Sequence, residues 1–131
     1  MAELTQKVSD VLLGQVGSSD AGYSFDESKV TTFATGMEIG AALKITGGKY
    51  VWAAIADVAD VVGILIDVRT TAGYETLVNA TDYTFVVAKR GTTINKNFLT
   101  LSDGGTAGNL TSAAEAFEAA GANKVTDKIA S

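Results

Sequence analysis

The sequence predicts a mainly β protein: a small barrel or sandwich of short strands, one short C-terminal α-helix and a flexible N-terminal arm. Three observations predict it. From Val30 onward, β-branched and aromatic residues come in runs of about five to eight, separated by Gly and Asn/Asp turn signals. One late segment, "TSAAEAFEAAG", changes to a helical period. The stretch before Val30, "GQVGSSDAGYSFDESK", is polar and holds neither period for long. The division expected is an arm over 1–29 and a single β-rich domain over 30–131. A chain of 131 residues can bury roughly two-thirds of the surface its unfolded form exposes, so it needs no further staple.

In chain order, Leu4, Val8, Val11 and Leu12 stand at i, i+4, i+7 and i+8 and allow a short amphipathic helix, though one of about twelve residues is marginal alone in water. Strands are expected at Val30–Phe33, Ala42–Thr46, Lys49–Ala53, Val61–Val68, Glu75–Val78, Tyr83–Ala88 and Phe98–Leu101. "VVGILIDV" is apolar almost throughout, which suits a strand covered on both faces. In the late helix Ala113, Ala116, Phe117 and Ala120 share one face. Ser112 and Glu115 have capping-box spacing, and Gly121 is placed for a left-handed C′ position. A last strand is expected over Val125–Ile129, and no internal repeat is visible.

"LKITGGKYVW" contains Gly47-Gly48-Lys49, which invites a phosphate-loop reading. Such a loop needs a longer glycine spacing and a Lys followed by Ser or Thr, and here Lys49 is followed by Tyr50. A two-residue turn fits better. It pairs Thr46 with Lys49, Ile45 with Tyr50, Lys44 with Val51 and Leu43 with Trp52. Leu43, Ile45, Tyr50 and Trp52 then share one wholly apolar or aromatic face, and a one-residue slip would mix Lys and Thr into it. That face is expected to meet the core or a subunit contact, Trp52 included.

Cysteine, histidine and proline are absent, which excludes thiolate zinc sites, disulfides and imidazole bases. The net charge of -5 and the lack of a basic cluster argue against nucleic acid and anionic lipid as partners. No segment approaches the ~20 apolar residues of a membrane span, and the N-terminus lacks the pattern of a secretory signal, so a soluble, cytoplasmically made protein is expected. Asp57, Asp60, Asp67, Asp82 and Asp103 are the candidates for a hydrolase-type carboxylate pair, but Asp57 and Asp60 stand in an Ala-rich link and Asp82 and Asp103 beside turns, where Asp bonds its own backbone. "SDGGTAGN" lacks the order of a Ca²⁺ loop and reads as a flexible connection. Lys89-Arg90-Gly91 reads as a strand end entering a turn. No catalytic, cofactor-binding or metal residue is assigned.

The succession "ESKVTTFATGMEIGAALKITGGKYV", "VVGILID", "YTFVVAKRG" and "TSAAEAFEAAGANKV" resembles the head decoration proteins of tailed phages, of the phage lambda head protein D type. The resemblance lies in the order of elements over about residues 22–129, since each motif alone is a turn or core signature. Ala41, Lys44 and the loop "SDGGTAGN" depart from the family pattern, and the first fifteen residues have no counterpart in it.

The resemblance implies a β-tulip or β-clip domain that assembles as a homotrimer on the outer surface of an expanded capsid and cements it. It implies the major capsid protein as partner, a place in the virion after assembly in the host cytoplasm, and no cofactor. In such proteins the arm adds a strand to a capsid-protein loop. The residues this assigns to the arm's capsid contact are Tyr23, Phe25, Lys29, Val30, Thr31 and Phe33, with Val30 and Phe33 equally able to begin the domain's own first strand. A tail or spike component using the same strand addition is the alternative.

Overall fold

The computed structural model describes residues 12–15, 25–26, 29–70 and 76–126. The strands there are β1 (Leu12–Gln15), β2 (Phe25–Asp26), β3 (Thr31–Thr32), β4 (Ala42–Thr46), β5 (Lys49–Trp52), β6 (Gly63–Leu65), β7 (Asp82–Tyr83), β8 (Val87–Ala88), β9 (Thr92–Asn95) and β10 (Lys124–Thr126). Among the described residues one α-helix, α1, covers Ala107–Gly121, and 3-10 turns cover Ile55–Asp60, Val68–Thr70 and Lys96–Phe98. Seven strands form one sheet in the order β2-β8-β6-β4-β5-β3-β7, and three form a second in the order β1-β9-β10.

The large sheet has to curl. β2 and β3 stand five places apart in it, which in a flat sheet would separate them by roughly 24 Å, yet the chain from Asp26 to Thr31 reaches at most about 18 Å. The step from Tyr83 in β7 to Val87 in β8 is shorter still and also spans five places. The two ends of the sheet are therefore drawn together, and a side chain crosses between them: Tyr50 Oη on β5 donates to Asp26 Oδ2 on β2 at 3.0 Å. No pairing joins β2 to β7 among the described residues. The mainly β expectation with one C-terminal helix holds, and the barrel it allowed is an open, curled sheet.

Each face of that sheet carries a core. Leu43, Tyr50, Leu65, Val87, Phe33 and Phe85 pack on the inside of the curl. Ala42, Ile64 and Ala88 point outward and pack with Ile94 of β9 and with Ala113, Ala114 and Phe117 of α1. β6 thus has Ile64 in one core and Leu65 in the other, both fully buried, which is why its sequence is apolar without alternation.

The hairpin has the register read from its sequence, from Leu43↔Trp52 to Thr46↔Lys49. Gly47 and Gly48 have φ of 59° and 79°, the pair of positive values a type I′ turn requires. Other expectations need correction. Leu12–Gln15 is not helical but a strand paired with β9, with a bulge between Leu12 and Gly14; Leu4, Val8 and Val11 lie outside the described residues. Val61–Val68 shortens to β6, and Tyr83–Ala88 splits around Phe85 into β7 and β8. Of the strand expected over Glu75–Val78, Glu75 lies outside the described residues and Thr76–Val78 is not a strand; Phe98–Leu101 contributes only a 3-10 turn and isolated bridges. β9 and the 3-10 turn Ile55–Asp60 were not legible. The last strand ends, as described, at Thr126; residues 127–129 lie outside the description.

The helix begins earlier than its sequence suggested. The capping box is not Ser112/Glu115 but Thr106/Asn109: Asn109 N donates to Thr106 Oγ1 at 3.3 Å and Thr106 N to Asn109 Oδ1 at 2.8 Å. Half of the supposed flexible loop is therefore its cap and first turn. At the other end Ala122, with φ 54°, takes the left-handed position expected of Gly121. Gly121 is needed for another reason: a Cβ there would lie 2.1 Å from Lys89 O and 2.6 Å from Arg90 Cβ, so only glycine lets α1 press this closely on the chain leaving β8.

Candidate functional site at the root of the arm

Val30 and Thr31, two of the predicted arm contacts, meet the hairpin at Tyr50. Thr31 pairs in parallel with Tyr50 and antiparallel with Tyr83, so β3 is threaded between β5 and β7. Tyr50 N donates to Val30 O at 3.0 Å, and the Tyr50 hydroxyl reaches Asp26. Asp26 Oδ1 in turn accepts from Lys29 N at 3.1 Å. Tyr50 and Asp26 are both buried. Burial first, then the hydrogen bond to Asp26 and its negative charge, hold the Tyr50 phenol well above its ordinary value of 10.0. It therefore remains a donor to the carboxylate at any physiological pH.

Of the proposed arm contacts, Thr31 is fully buried and Phe33 is 8 % exposed. Phe33 packs edge-on against Tyr83 and Phe85, which stack on each other at 5.3 Å. Phe25 is half-buried on β2 against the outer core, Lys29 and Val30 are half-buried, and Tyr23 lies outside the described residues. On the hairpin face, Leu43 and Tyr50 are buried and Trp52 is half-buried with its Nε1 donating to Thr100 O at 3.2 Å, whereas Ile45 is 47 % exposed. Asp26 was missed from sequence because nothing distinguishes it among the Ser, Asp and Glu of its stretch.

Thr31 Oγ1 has no hydrogen-bond partner although it is buried among the joined strands. Such a hydroxyl costs stability, so Thr31→Val, which keeps the shape, is expected to raise stability by about 1 kcal/mol. A urea midpoint equal to or below wild type would contradict this.

Four of the five aspartates considered for catalysis have structural duties. Asp57 binds Lys44 at 3.0 Å and accepts from Ala54 N; Asp82 binds Lys49 at 2.6 Å and accepts from Thr32 Oγ1, tying β3, β5 and β7 together; Asp103 accepts from Ile55 N at 2.8 Å. Asp60 lies exposed on the Ile55–Asp60 turn. Asp67 is buried and accepts from Arg69 N, Nε and Nη2 and from Val86 N, while Arg69 also bonds Thr84 O and lies over the Phe85 ring. No cluster of three or more acidic groups that could hold a metal ion occurs among the described residues.

Burial works to raise the Asp67 carboxyl, but the donors from Arg69 and Val86 outweigh it and hold the group below its ordinary 3.8. A carboxyl depressed in the folded state contributes stability that is present above the unfolded value and lost as pH falls through the folded one. Asp67→Asn is therefore expected to flatten the loss of stability below about pH 4. Parallel acid limbs in urea titrations of the two proteins would contradict that.

Among the described residues no helix is long and apolar enough to cross a membrane. No curated protein and no solved structure matches the chain. A family model does, over residues 1–131: that of the bacteriophage PhiTE minor capsid decoration protein. With the β-rich domain, its C-terminal helix and the order of elements that resembled phage head decoration proteins, this match shows that the chain belongs to the bacteriophage PhiTE minor capsid decoration protein family.

Proposed function

We propose that this protein is a structural, non-catalytic cement that binds the outer surface of the expanded phage head as a homotrimer, its N-terminal arm (1–29) adding a strand to the major capsid protein. The observation that carries the reading is membership, over the whole chain, of a capsid decoration family, which makes the protein a component of the virion associated with its capsid. The arm's composition supports the finer part. It is polar and Gly/Ser-rich, yet it carries Tyr23 and Phe25, aromatic side chains suited to anchor a strand on a partner.

Two pieces of that arm are engaged with the chain itself. β1 pairs with β9, and β2 pairs with β8 through only Phe25↔Ala88 and Asp26↔Val87. Strand addition to the capsid would exchange these short pairings for longer ones. Thr31 and Phe33, buried in the domain, would act as the fixed root from which Tyr23, Phe25, Lys29 and Val30 reach outward. Ordering an arm costs about 1–2 kcal/mol per residue, so a single copy binds modestly, and three arms on one platform gain roughly 10² to 10⁴ in avidity.

The test is co-sedimentation of the purified protein with expanded and unexpanded heads, alongside its mass in solution. Preference for expanded heads by a trimer is expected. Equal binding to both lattices, or full binding by a monomeric variant, would contradict the proposal, and binding to isolated tails alone would favour the tail-component alternative.

A further inference from the structure

A cleft of about 200 Å³ opens between the hairpin tip and the turn after β8, lined by Ile45, Tyr50, Val62, Lys89, Arg90 and Ala120. Its volume is below the roughly 300–1,000 Å³ of small-molecule sites, so it suits one or two side chains of a polypeptide rather than a cofactor. Besides Ile45, its apolar lining comes from Val62, Ala120 and Tyr50. Its wall carries the chain's one pair of adjacent cations in a protein of net charge -5.

The backbone beneath that wall is fixed. Lys89 O accepts from Asn123 Nδ2 at 3.0 Å, Gly91 N donates to Gly121 O at 2.9 Å, and the missing Cβ of Gly121 lets the helix end abut Lys89 and Arg90. The opposite lip is Ile45, 47 % exposed although its face-mates Leu43 and Tyr50 are buried. An exposed aliphatic side chain facing two cations across an apolar lining matches a segment in which an aliphatic side chain adjoins a carboxylate. A phosphate would leave the apolar lining unfilled.

We propose that this cleft is a second docking point on the capsid: it takes an acidic segment of a capsid subunit, with an aliphatic side chain over Ile45 and Val62 and the adjoining Asp or Glu on Lys89. The inference rests on the decoration reading above, and it places a contact beside β2, whose Phe25 pairs with Ala88 and whose Asp26 bonds Tyr50.

The experiment measures binding of the full-length protein to expanded heads of its cognate phage for wild type, Ile45→Asp and Lys89→Glu, with thermal unfolding and solution mass of each. Ile45→Ser and Lys89→Ala replace either variant that fails to fold. Folded variants of wild-type mass that bind about tenfold or more weakly, with a shallower salt dependence for Lys89→Glu, are expected. Variants that bind as wild type does would overturn the cleft and leave the decoration reading standing. Variants that lose their oligomeric mass would also overturn it, by showing the occupant to be a second copy. Wild-type protein that does not bind heads at all would overturn both.

Discussion

Replacing Asn123 with alanine is expected to cost about 3 kcal/mol or more and to loosen the helix end from the sheet, because one buried side chain satisfies groups on three segments at once. Its Oδ1 accepts from Thr92 N at 3.0 Å and Thr92 Oγ1 at 2.7 Å, and its Nδ2 donates to Lys89 O and Phe117 O, both at 3.0 Å. Asn123 is 8 % exposed, so water does not replace it. Alanine would orphan the Thr92 N–H and leave two carbonyls short of a donor. Asn123→Asp sharpens the test, since it keeps the acceptor toward Thr92 and removes the donors toward Lys89 and Phe117. Equilibrium urea unfolding should rank wild type above both variants, and a loss under 1 kcal/mol for alanine would show that the network is not coupled.

Tyr50→Phe is expected to cost about 2 kcal/mol, the scale of a hydrogen bond to a buried charge, because it leaves the Asp26 carboxylate without its phenolic donor and with Lys29 N among its remaining contacts. The effect should be local as well as global. Amide exchange should quicken at Phe25 and Asp26, since β2 is an edge strand held to β8 by two residue pairs. If the arm is exchanged onto the capsid, the same variant should associate with expanded heads faster than wild type. Unchanged exchange at β2 would show that Asp26 does not hold the strand. Unchanged association would place the exchange elsewhere in the arm.

Several features were legible because they rest on local chemistry. The Gly47-Gly48 turn is one: two positive φ values and a period of two dictate the hairpin's register without reference to the rest of the chain. The uninterrupted apolar run through Gly63, Ile64 and Leu65 likewise announced a strand covered on both faces. The order of these elements also pointed to a decoration protein, in agreement with the family match. Where local signals misled, packing had the last word. "GTAGN" has poor helix formers, yet it enters α1 because Leu110 packs on the outer core and Thr106 caps the turn. Strands of two residues, such as β2, β7 and β8, carry no period at all.

The sequence by itself determined the class of fold, the hairpin and its register, the helix and the absence of thiol and imidazole chemistry. Only the tertiary structure decided where the hairpin's four apolar residues go: Leu43 and Tyr50 buried inside the curl, Trp52 half-buried, and Ile45, on the same face, exposed beside a cleft. It alone joined Asp26 to Tyr50 and brought Lys89 and Arg90 beside Ile45. The physical reason is that these contacts join elements far apart in the chain. They follow from the curl that short connections impose on a seven-stranded sheet, and no local pattern of residues encodes that curl.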